Sequence, residues 1–221
     1  LLWSVWETRT KDYAVYAQAT SLDWKPVAGD DHPAGGMTWG DARAFCAWLT
    51  DKELREGGLR SGWRYRLLTD HEWSVAVGIG DREDPNTSPA SKSGDIKGVY
   101  PWGAQWPPEN AGNYGQELGA DSFENSAPVG NFPANLFGLF DMGGNVWEWC
   151  EDWYDAGAYG YYARGDPSAP PRGDFRVLRG GSWSRCAEAG FRCAVRSHGG
   201  IFWRHCRGFR VARDLCLRLA A

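Results

Sequence analysis

Apolar positions set the first expectations for this chain. Residues Trp3 to Trp6 predict a short strand, after which the period becomes helical: Tyr13, Tyr16 and Ala17 share one face of a helix that Thr8 is placed to cap and that runs to about Thr20. Thr38 and Asp41 have capping-box spacing ahead of a second helix, with Ala42, Phe45, Cys46, Leu49 and Leu54 inward and Gly57-Gly58 as its stop. Thr69 and Glu72 open a third, short helix whose Trp73, Val75, Ala76, Val77 run ends at Gly78. The Asp, Pro, Ser, Gly and Lys composition of 81–98 predicts an exposed loop or insertion.

Beyond Tyr100 the pattern changes to glycine, proline and aromatic residues, which predicts short strands joined by long ordered loops. Val146 to Trp149 alternates large apolar and charged positions, as in a strand with one face buried and the other supplying oxygen ligands or ion-pair partners. Arg176 to Leu178, Phe191 to Val195 and Phe209 to Ala212 read as strands of a small antiparallel sheet. The class is α+β, as a single domain over 1–221. Arg196 to Gly208 is too long for a tight hairpin, so it is expected at the surface, where binding residues tend to lie.

Composition narrows the functional classes. Fourteen tryptophans is a heavy aromatic load, yet no apolar run approaches the ~20 residues of a bilayer span. The net charge of -4 conceals a division, since 163–221 holds twelve Arg, no Lys and four acidic residues. Arg176, Arg179 and Arg210 are expected to pair with buried carboxylates such as Glu148 or Asp152, so this asymmetry does not signal nucleic acid. The six cysteines contain no Cys-x-x-Cys pair and only four His accompany them, which argues against a zinc site; Cys46 reads as a small core residue. Compartment stays open between cell surface and cytoplasm, and the chain starts at Leu1 without a methionine, so a missing leading region is an open expectation.

The ordered set Val5-Trp6-Glu7-Thr8, Tyr65 to Trp73, Tyr100-Pro101-Trp102-Gly103, Ala127 to Gly130, Asn135 to Asp152, Arg176 to Trp183 and Gly208 to Val211 resembles the formylglycine-generating-enzyme/sulfatase-modifying-factor family. That resemblance implies an elaborated C-type lectin-like fold. The founding activity oxidises a client cysteine with copper and two cysteines that follow a Gly-Gly-Ser-aromatic motif, with four residues between them. Here Gly180-Gly181-Ser182-Trp183 leads to Cys186, but Phe191 stands five residues later. No catalytic residues and no copper are expected, because copper(I) favours two soft thiolates. Calcium is the implied cofactor. One site would take Asn113, Tyr114, Asp121 and Phe123, and a second Asn145, Val146 and Glu148. The alternative is that Asn145 and Glu148 satisfy buried backbone and arginine groups.

The interval between Ser184 and Arg207 lacks the regularity of its flanks. Ile201, Phe202 and Trp203 are consecutive beside Gly199-Gly200, with His198, His205 and Cys206 close by, and such a run in a surface loop suits contact with a partner. The arrangement resembles the variable proteins of diversity-generating retroelements, whose C-terminal surface is rewritten on this framework. It implies a variable region over about 176–212 and a ligand-binding set of Ser184, Cys186, Phe191, Val195, Ser197, His198, Ile201, Phe202, Trp203 and His205. The expected partner is a protein or other macromolecular ligand bound by a monomer. The competing readings are a sulfatase-modifying oxidase and an accessory module held permanently against another chain.

Overall fold

The structure is a computed structural model that describes residues 1–84, 92–93, 96–154, 175–184, 187–199 and 205–215. In chain order its elements are β1 (Leu2–Trp3), α1 (Thr10–Thr20), α2 (Trp39–Glu56), β2 (Trp63–Leu67), α3 (Asp70–Ala76), β3 (Trp147–Trp153), β4 (Arg176–Arg179), β5 (Ser197–Gly199), β6 (Arg207–Gly208) and β7 (Val211–Leu215), with three short 3₁₀ turns. One sheet has the order β1-β7-β2 and the other β5-β4-β3-β6. The class is α+β.

Helix starts follow the polar punctuation. Thr38 and Thr69 each accept from the backbone N–H three residues on, while Asp41 and Glu72 return the bond to the cap, so both capping boxes form. Gly57, at φ 77°, ends α2 in the left-handed conformation that glycine adopts most readily. Thr8 does not cap α1. Its N–H donates to the Phe209 carbonyl and its own carbonyl accepts from Ala34, so it is committed to tertiary pairing, and Arg9 precedes the helix without a side-chain cap. Leu54 and Val75 face outward, each 39% exposed.

The strands differ more from expectation. Only Leu2–Trp3 of the first apolar run pairs, with β7. Phe191 to Val195 is not a strand: Glu188–Phe191 is a 3₁₀ turn, and the Cys193 N–H leaves to bond the Val99 carbonyl. The strand instead follows as β5, antiparallel to β4. Of Phe209 to Ala212 only Val211 and Ala212 are in a strand, at the start of β7, which pairs antiparallel with β1 and β2; β6, which runs parallel to β3, ends just before Phe209. The expected exposure of 81–98 is also corrected, since Lys92 and Ile96 are buried and Ile96 joins the core.

β3 is buried on both faces from Trp147 to Cys150, one side against Tyr13, Phe45 and Phe209 and the other against Trp73, Met142 and Val177. Two buried arginines brace it. Arg210 donates to both oxygens of Glu148 and to the carbonyls of Ser4 and Phe140. Arg179 pairs with Asp70 and donates to Ser74 and the Cys193 carbonyl, and Arg196 reaches the other Asp70 oxygen at 2.9 Å. Arg176 lies between the rings of Trp39 and Trp153, 3.4 and 3.3 Å from their centroids. Cys46 is the small core residue its helix face implied.

Removing the carboxylate that two buried guanidinium groups share leaves Arg179 without a carboxylate partner, while Arg196 keeps Glu83, so Asp70→Asn should lower the urea-unfolding free energy by about 3–5 kcal/mol. Asp152 carries a pH dependence. Burial, then the charge of Asp70, pushes its carboxyl up to about 7. Relative to an unfolded value near ~4, the neutral acid is favoured in the fold, so its contribution is complete below pH ~4 and is lost as pH rises through 7. Thermal melts from pH 4 to 8 should show that decline, about 2–4 kcal/mol in full, and Asp152→Asn, whose amide oxygen still accepts from Asp70 N–H, should lack it.

Candidate functional site

The Gly-Gly-Ser-Trp segment is locked to the Gly-Gly-Asn turn before β3. Gly144 N–H donates to the Gly180 carbonyl, and Trp183 N–H to the Asn145 carbonyl. Gly181 has φ 83°, and a Cβ there would lie 2.6 Å from the Phe191 ring, so glycine is required by both conformation and space. The lock carries Trp183 and Ser184 to the surface, where Ser184 Oγ lies 3.0 Å from the buried Ser182 Oγ.

Trp183 forms one wall of a cleft of about 890 Å³ that Tyr13, Trp24, Asp41, Asn125 and His205 also line. Its opposite wall is the segment after α1, which Ser21 turns in the left-handed conformation and which Trp24 fixes by donating Nε1–H to the Gly35 carbonyl. Tyr13 holds Trp24 edge to face, with ring centroids 4.8 Å apart. Gly35 lets the His205 backbone approach, since a Cβ there would stand 2.6 Å from the His205 carbonyl oxygen.

The expected ligand set divides. Ser184 and His205 are both exposed, and of the two His205 lines the cleft. Ser197 and exposed His198 lie on β5, at the far edge of the sheet from β6 and thus about 14 Å away at ~4.8 Å per strand. His198 sits between Tyr154 and Phe175, each centroid 4.7 Å from its own. Val195 is half-buried against the Tyr13 and Phe45 core. Phe191 departs from the expected surface position: it is 1% exposed, edge-on to Tyr114 at 4.7 Å and stacked on Trp106 at 6.2 Å, so its ring is core. Cys186, Ile201, Phe202 and Trp203 fall outside the described residues.

The two oxygen-donor sets differ in kind. In the first, Asp121 accepts from the N–H groups of Tyr114 and Phe123, closing the loop on itself, while Asn113 donates to the Asn125 carbonyl. Asn113 Oδ1 is buried with no partner. In the second, Val146 is buried, Asn145 Oδ1 accepts from Ala127 N–H and its Nδ2 donates to Glu7, while Glu148 is engaged by Arg210. Sequence reasoning gave no role to Glu7 and Asp141, which join this cluster. Burial raises the Glu7 carboxyl, helped by Asp141 and Glu148, and raises Asp141 to about 6; Glu7 Oε1 and Asp141 Oδ1 are buried without partners. No periodicity links Glu7 to Glu148, so only coordinates could find this pairing. Trp24, Asp41 and Asn125 were likewise missed, because their shared cleft arises from tertiary packing. Among the described residues, no three His, Cys, Asp or Glu side chains converge as a metal cage.

Two interlocked glycine turns, two small sheets and an arginine-braced tryptophan strand define a formylglycine-type α+β scaffold. The chain belongs to the sulfatase-modifying factor enzyme 1-like domain family, whose model matches residues 7–215. It is 30% identical over 216 residues to the serine/threonine-protein kinase Pkn1 of Chlamydia trachomatis, covering 94% of this chain and 28% of that protein. It is 32% identical over 179 residues to the formylglycine-generating enzyme of Bos taurus, covering 76% of this chain and 40% of the enzyme. The chain therefore spans about a quarter to two fifths of these relatives. PvdO from Pseudomonas aeruginosa superposes with a TM-score of 0.69 at 25% identity, covering 96% of this chain and 80% of that one. The variable protein 1 of Treponema denticola superposes at 0.62 and 19% identity, covering 95% and 84%, a likeness of fold.

If Phe191 is core and His198 is surface, alanine substitutions should separate them. Phe191→Ala is expected to cost about 3–5 kcal/mol in denaturant melts, and His198→Ala less than about 0.5.

Proposed function

We propose that this chain is a noncatalytic recognition domain whose C-terminal surface is presented on a rigid scaffold, as in the variable proteins it resembles. The observation that carries this reading is Phe191. Where the oxidising members have their second cysteine, this chain has an aromatic ring sealed into a cluster with Tyr114 and Trp106. The other framework thiols are poor substitutes: Cys46, Cys150 and Cys193 are buried, and burial pushes all three upward, Cys193 to about 12. A thiol held protonated neither attacks nor ligates copper. Exposed Ser184 follows Trp183, which lines the cleft with His205, and Phe202 and Trp203 would supply the aromatic side chains that anchor interfaces.

The enzyme reading is favoured by one fact, the name and likeness of the bovine relative. Mass spectrometry of a cysteine-containing client peptide, incubated with the copper-loaded chain and oxygen, separates the two. Unchanged peptide is expected; conversion to formylglycine would establish catalysis. Replacing Phe202 and Trp203 with Ser should leave cooperative unfolding intact, whereas its loss would identify them as core. For the variable region, a near-copy of the codons for 176–212 in neighbouring DNA is the decisive observation.

Calcium belongs to the same proposal. Asn113 Oδ1 is a buried acceptor lacking a donor, and a cation there would satisfy it together with the Asp121 carboxylate and the carbonyls of Tyr114 and Phe123. Asn145, Val146 and Glu148 would serve as a second site only if Arg210 yielded Glu148. Adding calcium at a hundredfold excess over its dissociation constant should stabilise the fold by about 2.7 kcal/mol. Asn113→Ala should abolish that gain, read as the calcium-dependent rise in melting temperature.

A further inference from the structure

The cleft between Trp24 and Trp183 contains two features that recognition by the C-terminal loop alone leaves unused. Tyr13 lines the cleft, and its buried hydroxyl, on a side chain with no solvent exposure, has no hydrogen-bond partner. Leaving such a group unpaired costs about 1–3 kcal/mol, so a ligand atom that reaches it gains disproportionately. Beside it is Asp41, whose charge is felt at Tyr13. Asp41 lines the cleft, and its bonds to Thr38 at the start of α2 engage Oδ2 and not Oδ1.

We infer that this cleft binds an alkylammonium group carried on an apolar stem, with Asp41 and Tyr13 receiving the ammonium and Trp24 and Trp183 flanking the stem. The inference rests on the recognition reading for its location and adds the ligand's chemistry. An ammonium offers three donors and no acceptor, which matches a carboxylate oxygen next to a phenol oxygen. Indole faces attract a cation, by about 0.5–2 kcal/mol according to its desolvation. Among the described lining residues, the carboxylates of Asp23 and Asp41 outnumber the single ammonium of Lys25, so the field favours a positive guest. At about 890 Å³ the cleft lies within the range of small-molecule sites, roughly 300–1,000 Å³, and admits a side chain with its neighbours as readily as a free amine. It also assigns ligand contacts to 13–41, outside the C-terminal interval from which recognition was expected.

The test uses the full chain at pH 7, observed through the indole N–H resonances of Trp24 and Trp183. Nα-acetyl-lysine amide and phenethylamine are titrated beside their uncharged counterparts, Nα-acetyl-norleucine amide and 2-phenylethanol. Both indoles should shift with the amines at roughly millimolar affinity, and the uncharged compounds should bind about tenfold more weakly. Preference for the lysine derivative would identify a polypeptide side chain as the guest, and preference for phenethylamine a free amine. Asp41→Asn, which keeps an acceptor at the helix cap, should erase the charged-over-neutral difference. Tyr13→Phe should weaken the amines alone. Equal binding of charged and uncharged compounds, perturbation confined to other tryptophans, or no binding would each overturn the inference. The wild-type comparison stands even if either variant fails to fold. A client peptide converted by the chain would refute the recognition reading while leaving the amine preference intact, so the two failures are distinguishable.

Discussion

Arg210 is the member on which the remaining architecture depends. Its guanidinium, wholly buried, donates to Glu148 on the central strand, to the Ser4 carbonyl near the N-terminus and to the Phe140 carbonyl before the glycine turn. Four stretches of chain up to 206 residues apart thus meet at one planar cation. Burying a charge is tolerable only when every donor finds an acceptor, and that condition fixes the registration of the pieces around it. Arg179 and Arg196 tie α3 into the same frame through Asp70. With short strands and long loops, these guanidinium clasps supply the order that a larger sheet would otherwise provide.

Much of this was legible because capping and glycine signals act locally. Thr38 with Asp41 and Thr69 with Glu72 each complete their hydrogen bonds within four residues, so sequence alone placed both helix starts. Thr8 has comparable chemistry and failed as a cap, since Phe209 and Ala34 had claimed its backbone. The strand expected at Phe191 to Val195 failed similarly. Alternation there reflects a ring entering the Tyr114 cluster and a small Cys193 entering the core behind α3, which a turn achieves as well as a strand. Alternation also could not reveal that Phe209 and Arg210 form the link between strands of two different sheets.

The site was legible in its parts and hidden in its assembly. The glycine-rich frame around Ser182 followed from motif order, whereas the bonds by which Asp121 closes its loop onto the N–H groups of Tyr114 and Phe123 appear only in the structure. The cleft was not legible, because Trp24, Asp41 and Trp183 carry no common spacing and meet only after α1, α2 and the Gly-Gly-Ser-Trp segment have packed. Glu7 likewise gains meaning only as a neighbour of Asn145, 138 residues away.

β5 and β6 bracket 200–204 from opposite edges of one sheet, and both are tied down through peptide groups: Ser197 to Gly199 against β4, and Arg207 with Gly208 against β3. Main-chain pairing is nearly indifferent to which side chain each intervening codon specifies. Strands held through their peptide groups fix where the backbone runs more than which residues it carries, so β5 and β6 constrain position at the two sheet edges without dictating the identity of their outward side chains.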